Sequence, residues 1–198
     1  MLFTTPNVII LQVLLISSYF VVISNSIIIP QNNVLNNVEE NLRRIRHTLH
    51  HIRRPMAREF LRAHNLIRAK YDIPPLQWDR TLARIARRRA SILAKDCSMV
   101  HSRGQYGENL FWGKLDHWTP ARMVEDWANE VQFFDLNTKK CTKDWTECGH
   151  FTQVIWADSQ RVGCHRQKCI LQVGFIGICI YDPPGNAVDQ SPFDIKND

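Results

Sequence analysis

Three stretches of the chain carry apolar residues at every third or fourth position, which is the pattern of helices with one buried face. The first helix is predicted to end before Ile73-Pro74-Pro75, because a residue ahead of proline disfavours the helical conformation. The second begins at Asp79 or Thr81, either of which can accept a backbone N–H as N-cap, and the third begins at Thr119-Pro120. The positions predicted to face the core are Phe60, Leu61, His64, Leu66 and Ile67, then Leu82, Ile85, Ala86, Ile92 and Leu93, then Met123, Val124 and Trp127.

Segments rich in aliphatic and aromatic residues predict strands in the second half of the chain. They are Tyr106–Trp112, Arg161–Lys168 and Ile170–Tyr181, and the last two are expected to pair in antiparallel fashion. Leu136–Thr146 is predicted to be a loop. Three helices together with several late strands predict an α+β domain built in layers.

The chain begins with an apolar run, Val8–Ile23, followed by the small-residue pattern Ser24-Asn25-Ser26. This predicts a signal peptide over residues 1–26 that is removed after Ser26. A retained membrane anchor is the alternative, since Ile27-Ile28-Ile29 prolongs the apolar stretch. The six cysteines all lie after position 96, and such an even set indicates an oxidising compartment. The protein is therefore expected outside the cell, with a membrane-anchored form as the lesser alternative.

Residues 27–57 form a basic extension that is rich in Asn and then in Arg and His. The favoured interpretation is a solvated linker that Pro55 ends. The alternative is a weak amphipathic helix, because apolar residues recur at helical spacing at Leu42, Ile45, Leu49 and Ile52. Removal as a propeptide and contact with a membrane surface are two further hypotheses. The compact domain is then predicted over residues 58–193, with a C-terminal tail at 194–198.

A formal net charge of +6 is compatible with nucleic-acid binding, so the distribution of the charge along the chain matters. Residues 43–62 hold seven arginines and one acid, whereas residues 63–198 carry a net charge of +2. The basic character thus belongs to the extension, and no nucleic-acid motif accompanies it. Four arginines in the second predicted helix are interpreted as a solvated helix face: Arg84, Arg87, Arg88 and Arg89.

Four ionisable residues lie in apolar or glycine-flanked sequence: His101, Glu108, Glu130 and His150. They come from four separate elements that could converge on one cleft. Two imidazoles and two carboxylates can bind Zn²⁺, or Mg²⁺ and Ca²⁺ more weakly, with a carboxylate holding a bound water. The alternative for His150 is a satisfied core histidine, which its place beside a buried run at 151–156 also fits.

Four blocks of the sequence resemble the signatures of one superfamily. They are HNLIRAKYDIPPLQWD, YGENLFWG, CGHFTQVIW and CIYDPPGN. The superfamily is that of cysteine-rich secretory proteins, antigen 5 and pathogenesis-related class 1 proteins, abbreviated CAP, and the six-cysteine pattern is similar to the plant pathogenesis-related class 1 branch. The resemblance covers Glu59 to Phe193.

The resemblance implies a three-layer α-β-α sandwich with a central antiparallel sheet. It also implies a cleft lined by the two histidines and two glutamates named above, with His64 structural instead. The disulfides implied are Cys97–Cys169, Cys141–Cys148 and Cys164–Cys179.

The function implied by the resemblance is that of a secreted, apoplastic plant defence protein. It is expected to be a monomer without enzymatic activity that binds sterol or lipid of pathogen membranes and is antimicrobial. No cofactor is expected to be required, and Zn²⁺ or another divalent cation is an optional ligand of the cleft. Relatives capture sterol at an aromatic loop, for which the candidates here are Trp127, Phe133, Phe134 and Leu136. Core packing is the alternative role of these side chains.

Two other functions stay open. One is a metal-dependent or Ser/His hydrolase that uses His101, His150 and a carboxylate, with Ser102 as nucleophile. The other is a precursor that releases a C-terminal signalling peptide from Pro183–Phe193, although Ile180 and Phe193 depart from the pattern of plant relatives.

Overall fold

The computed structural model describes residues 31–114 and 116–194, without the side chains of 31–34 and 47–54. The predicted signal peptide and residues 195–198 of the predicted tail lie outside this range. The chain divides into two compact units, residues 1–49 and 50–198. No helix in the described ranges is long and apolar enough to cross a membrane.

Helix α1 spans Gln31–Ala69, with Pro55 inside it. The prediction that Pro55 ends a linker is therefore wrong, and the helical alternative for residues 31–57 is confirmed. Proline removes one backbone hydrogen bond, but the turns that follow it are fixed by buried Phe60, Ala63 and His64. Within the first unit, Leu35, Val38, Leu42 and Ile45 are exposed, so this part of the helix is solvated as expected.

Helix α2 spans Arg80–Leu93 and begins at the predicted cap, where the Asp79 carboxylate accepts the backbone N–H groups of Thr81 and Leu82. Its buried face consists of Leu82, Ala86, Ala90 and Leu93. Ile92 of α2 and Leu66 of α1 are 57% and 56% exposed, so their predicted core positions are wrong. Ile92 is two positions from buried Ala90 and therefore lies off the buried face of the helix.

The third helix, α3, spans Pro120–Asn129, and a 3₁₀ turn at Glu130–Phe133 continues it. Helix α4, Gly149–Val154, contains most of the CGHFTQVIW block. Two short strands, β3 at Phe134–Asp135 and β4 at Lys140–Cys141, pair with each other. Strand β4 lies within the loop predicted at Leu136–Thr146, and β3 lies directly before it.

The main sheet has the strand order β1-β5-β6-β2. These strands are β1 at Gln77–Trp78, β2 at Gly107–Gly113, β5 at Arg161–Lys168 and β6 at Phe175–Asp182. The three long strands pair in antiparallel fashion, as predicted. The two-residue strand β1 pairs with β5 in parallel and extends the antiparallel sheet at one edge.

Each face of the sheet carries its own core, because successive side chains of a strand point to opposite faces. Ile176, Ile178 and Ile180 of β6 pack with the buried face of α2. Cys179 and Tyr181 lie in the other core, with residues of α1, α3 and α4. Two cores on one sheet make the domain the expected three-layer sandwich.

All three expected disulfides are present: Cys97–Cys169, Cys141–Cys148 and Cys164–Cys179. The first closes a sequence separation of 72 residues, and the second closes one of 7 residues just before α4. In the chain-entropy description, closing the longest loop stabilises the fold by roughly 4 kcal/mol.

Arg68 is fully buried and has no carboxylate partner among the described residues. Its guanidinium donates to the backbone carbonyls of Pro74, Val154, Trp156, Ala157 and Ser159. Burial lowers its pKa to about 10, so the side chain stays charged at neutral pH. This cation therefore anchors the segment that follows α4 to α1.

Candidate functional site

His101 and Glu108 form the first of two His–Glu pairs. His101 lies in the loop before β2, and its Nδ1 lies 3.1 Å from Oε1 of Glu108. The same carboxylate oxygen accepts the backbone N–H of Ser102 at 2.8 Å, and Oε2 accepts from Nε of Arg89 at 3.3 Å. The Glu108 side chain is 4% exposed and that of His101 is 54% exposed. A buried carboxylate thus orients an accessible imidazole.

Glu130 and His150 form the second pair. Nδ1 of His150 lies 2.6 Å from Oε1 of Glu130. Oε2 of Glu130 accepts the backbone N–H groups of His150 and Phe151 at 2.9 and 3.2 Å. These are free donors in the first turn of α4, whose own N-cap, Cys148, makes no side-chain hydrogen bond. Glu130 therefore caps α4 and orients the His150 ring at once.

The two pairs lie side by side, since the ring centroids of His101 and His150 are 6.5 Å apart. The indole of Trp127 stacks on His150 at 6.2 Å and 23°, and its Nε1 donates to the carbonyl of Leu110. The side-chain amide of Asn109 donates to the carbonyl of His150 at 3.0 Å. The structure thus brings together all four residues predicted for the cleft.

Behind the cleft lies a buried chain of hydrogen bonds. Asn109 also donates to the Tyr181 hydroxyl at 3.3 Å, and that hydroxyl lies 2.7 Å from Nε2 of His64. Nδ1 of His64 donates to the carbonyl of Phe60 at 2.8 Å, so Nε2 is the acceptor for Tyr181. Burial lowers the pKa of His64 to about 4, which keeps the ring neutral. The structural role predicted for His64 is consistent with these contacts.

The charges of the cleft act on neighbouring carboxyl groups. Burial raises the pKa of Glu108, but hydrogen bonds from His101 and Ser102 and the charge of Arg89 outweigh it, so the net shift is downward. Burial and then the charge of Glu130 raise the pKa of Asp126 on α3, against the opposing effect of His150. Arg89 was predicted to lie on a solvated helix face, but it pairs with Glu108 instead. Asp126 was not predicted, since no local pattern marks it as part of the cleft.

The two imidazoles are the groups of this site that could hold a divalent cation. A carboxylate on Nδ1 leaves Nε2 as the free nitrogen of each ring, which is the usual arrangement behind metal-binding histidines. Glu108 and Glu130 are engaged in hydrogen bonds, which makes them orienting groups more than ligands. Within the described residues, three candidate ligand atoms lie within 4.8 Å of one another at His64, Cys164 and Cys179. The two sulfurs form a disulfide, so they are not free to bind a metal as thiolates.

The four predicted sterol contacts divide into two classes. Trp127 and Phe134 are 1% and 6% exposed and pack in the core, which is the alternative role given above for these side chains. Phe133 is partly buried and Leu136 is exposed. Phe133 and Leu136 stay predicted ligand contacts.

A family profile, the cysteine-rich secretory protein family or CAP, matches residues 61–181. The chain belongs to the CAP family. Pathogenesis-related protein 1C of Nicotiana tabacum is 48% identical over 135 residues, which cover 68% of this chain and 79% of that protein. Pathogenesis-related protein 1 of Arabidopsis thaliana is 42% identical over 135 residues, which cover 68% of this chain and 81% of the relative. Such relatives place this CAP protein in the plant pathogenesis-related class 1 branch, which is defence-related.

Solved CAP structures agree in fold. The crystal structure of NaASP2 with Zn²⁺ aligns with a TM-score of 0.57 at 19% identity, covering 70% of this chain and 85% of that one. Na-ASP-1 aligns with a TM-score of 0.61 at 19% identity, covering 71% of this chain and 42% of that one. At this identity the likeness establishes the disulfide-stabilised α+β architecture of the CAP domain and no more.

Proposed function

We propose that this class 1 protein is a secreted, non-enzymatic defence protein that captures a sterol or related lipid of pathogen membranes and acts against the pathogen as a monomer. Its membership of the plant class 1 branch is the observation that supports a defence role. The partly buried ring of Phe133 and the exposed side chain of Leu136, both after α3, would supply the apolar contacts. Secretion to the apoplast is part of the proposal, and contact of the basic extension with a membrane surface would add affinity.

Sterol capture is tested with purified protein in which Phe133→Ala and Leu136→Ala are combined. Phe134 is left intact, because it is buried and its loss would disturb the core. Leu66→Ala serves as the matched control, since Leu66 is an exposed apolar residue on another helix. Capture that falls in the double variant and persists in the control supports the proposal. Equal capture by both variants contradicts the assignment of Phe133 and Leu136.

A divalent cation such as Zn²⁺ is proposed as an optional ligand held by Nε2 of His101 and His150. The cation would supply a positive charge in the cleft, while the two glutamates hold the rings in place. Calorimetric titration with ZnCl₂ tests this directly. Binding that survives both His101→Gln and His150→Gln would exclude the cleft as the zinc site.

Hydrolysis receives less support from the geometry. The backbone N–H of Ser102 donates to Glu108, and its hydroxyl also hydrogen-bonds to that carboxylate, so the local contacts do not activate Ser102 through His101. Turnover of peptide or ester substrates that is lost in His150→Ala would reverse this preference.

Release of a C-terminal peptide is the second candidate, and the contacts of the segment bear on it. Asn186 bonds to the Thr152 hydroxyl and to the carbonyl of Gly149, and Phe193 packs near Tyr71 and Phe134. The segment is thus bound to the domain, and release requires both cleavage and dissociation. Peptidomics of challenged tissue tests it, since a fragment starting at Pro183 would establish processing and its absence counts against it.

A further inference from the structure

A second concave site lies at the sheet edge opposite the histidine cleft. The sheet order β1-β5-β6-β2 puts Trp78 of β1 at one edge and Glu108 of β2 at the other. Between α1, α2 and β5 at the first edge lies a cavity of about 690 Å³. This volume is within the range of about 300–1,000 Å³ that is typical of small-molecule sites.

Four arginines line this cavity, Arg58 from α1 and Arg80, Arg84 and Arg87 from α2. Spacings of three and four residues put the α2 arginines on one side of that helix. No acidic residue is among the described residues that line the cavity, and within the described chain none of the four arginines makes an ion pair. The predicted solvated face of α2 includes Arg84 and Arg87, and in the structure both line this cavity.

The first turn of α2 favours an anion beside Arg80. Arg80 lies in the first turn of α2, which contains no acidic residue. The positive end of the helix dipole lies there and disfavours a cation. The Asp79 carboxylate is already engaged by the helix N-terminus and by Arg161. A bound anion would therefore interact favourably with both the helix N-terminus and the arginines.

The remainder of the lining is largely apolar. Met56, Leu61 and Trp78 are partly buried members of the core that also line the cavity. A small inorganic anion would leave this apolar surface in contact with water, whereas an acyl chain would cover it. The cavity thus combines a cationic rim with an apolar floor.

We propose that this arginine-rimmed cavity binds an amphiphile with a phosphate monoester head and an acyl tail. Guanidinium groups match phosphate oxygens with paired hydrogen bonds, and four of them suit a head group that carries up to two negative charges. The proposal is independent of sterol capture, because it uses the opposite edge of the sheet and none of the residues assigned to that function.

The test is calorimetric titration of the purified protein with dioctanoyl phosphatidic acid below its micelle concentration. Saturable one-to-one binding is expected, with affinity that falls as salt is raised. Glycerol 3-phosphate, which has the head group without the tails, and dioctanoyl phosphatidylcholine, which has the tails without net charge, should each bind at least about tenfold more weakly. Equal affinity for either probe overturns the proposal.

Site assignment rests on two variants and a matched control. Arg80→Gln with Arg84→Gln should weaken phosphatidic acid binding by at least about tenfold, and Arg58→Gln from the other helix should weaken it to a smaller extent. Arg62→Gln with Arg88→Gln, exposed arginines of the same two helices outside the cavity, should leave binding unchanged. Equal loss in the control, or none in the cavity variants, refutes the site. Sterol capture by the cavity variants should stay at the wild-type level.

Discussion

The buried imidazole of His64 makes the stability of the domain depend on pH. Its pKa is about 4 in the folded protein and 6.5 when exposed, so the unfolded chain binds a proton more readily. The contribution of neutral His64 to the free energy of unfolding is fully present above pH 6.5 and is lost progressively as the pH falls toward 4. Linkage over these two values gives a loss of about 2 kcal/mol between pH 7.5 and pH 5.0.

The measurement is urea unfolding at closely spaced pH values with the disulfides intact. With a urea dependence of about 2 kcal/mol per molar, the unfolding midpoint should fall by about 1 M over that interval. His64→Gln is the informative variant, because it keeps a neutral polar side chain and removes the titration. It should be less stable at pH 7.5 and lose less stability on acidification. A profile parallel to that of the wild type would refute the reasoning, since the other histidines are common to both proteins.

Three further predictions concern single features of the fold and the cleft. Replacing Arg68 with Met should lower the free energy of unfolding by about 3–5 kcal/mol by urea titration, because buried carbonyls lose their donor, and Arg68→Lys should rescue only part of it. Joint replacement of Cys97 and Cys169 by Ser should cost up to roughly 4 kcal/mol by the same measurement, and an unchanged midpoint would contradict the loop-closure argument. If the cleft binds Zn²⁺, Glu130→Gln should weaken zinc binding by about 10–100-fold in calorimetry, because His150 would lose the carboxylate that orients its ring. Unchanged affinity would show that the carboxylate does not hold the ring.

Much of the fold could be predicted from local patterns. The predicted limits of β5, Arg161–Lys168, matched the structure. The Asp79 cap of α2 was predicted because capping is a local interaction. Pro55 was misjudged because local propensity says nothing of the buried turns that follow it, and the parallel pairing of β1 depends on residues about eighty positions away.

The identity of the cleft residues was predictable, but their pairing was not. Sequence alone gave no way to decide which carboxylate reaches which imidazole, or that Glu130 also caps α4. Arg89 was wrongly assigned to a solvated helix face because its ion pair with Glu108 crosses from α2 to β2. The burial of Trp127 and Phe134 was likewise hidden, since a core aromatic and a ligand-contacting aromatic have the same local sequence.

The burial of Arg68 has a consequence for the dynamics of the domain. The carbonyls at 154–159 cannot separate from α1 without leaving a cation facing an apolar interior, so partial opening of this region is energetically disfavoured. Amide hydrogens of the later turns of α1 and of the segment after α4 should accordingly exchange with solvent together, at the rate of global unfolding. The histidine cleft, whose α4 wall ends in that segment, is then a rigid feature that ligands meet already formed.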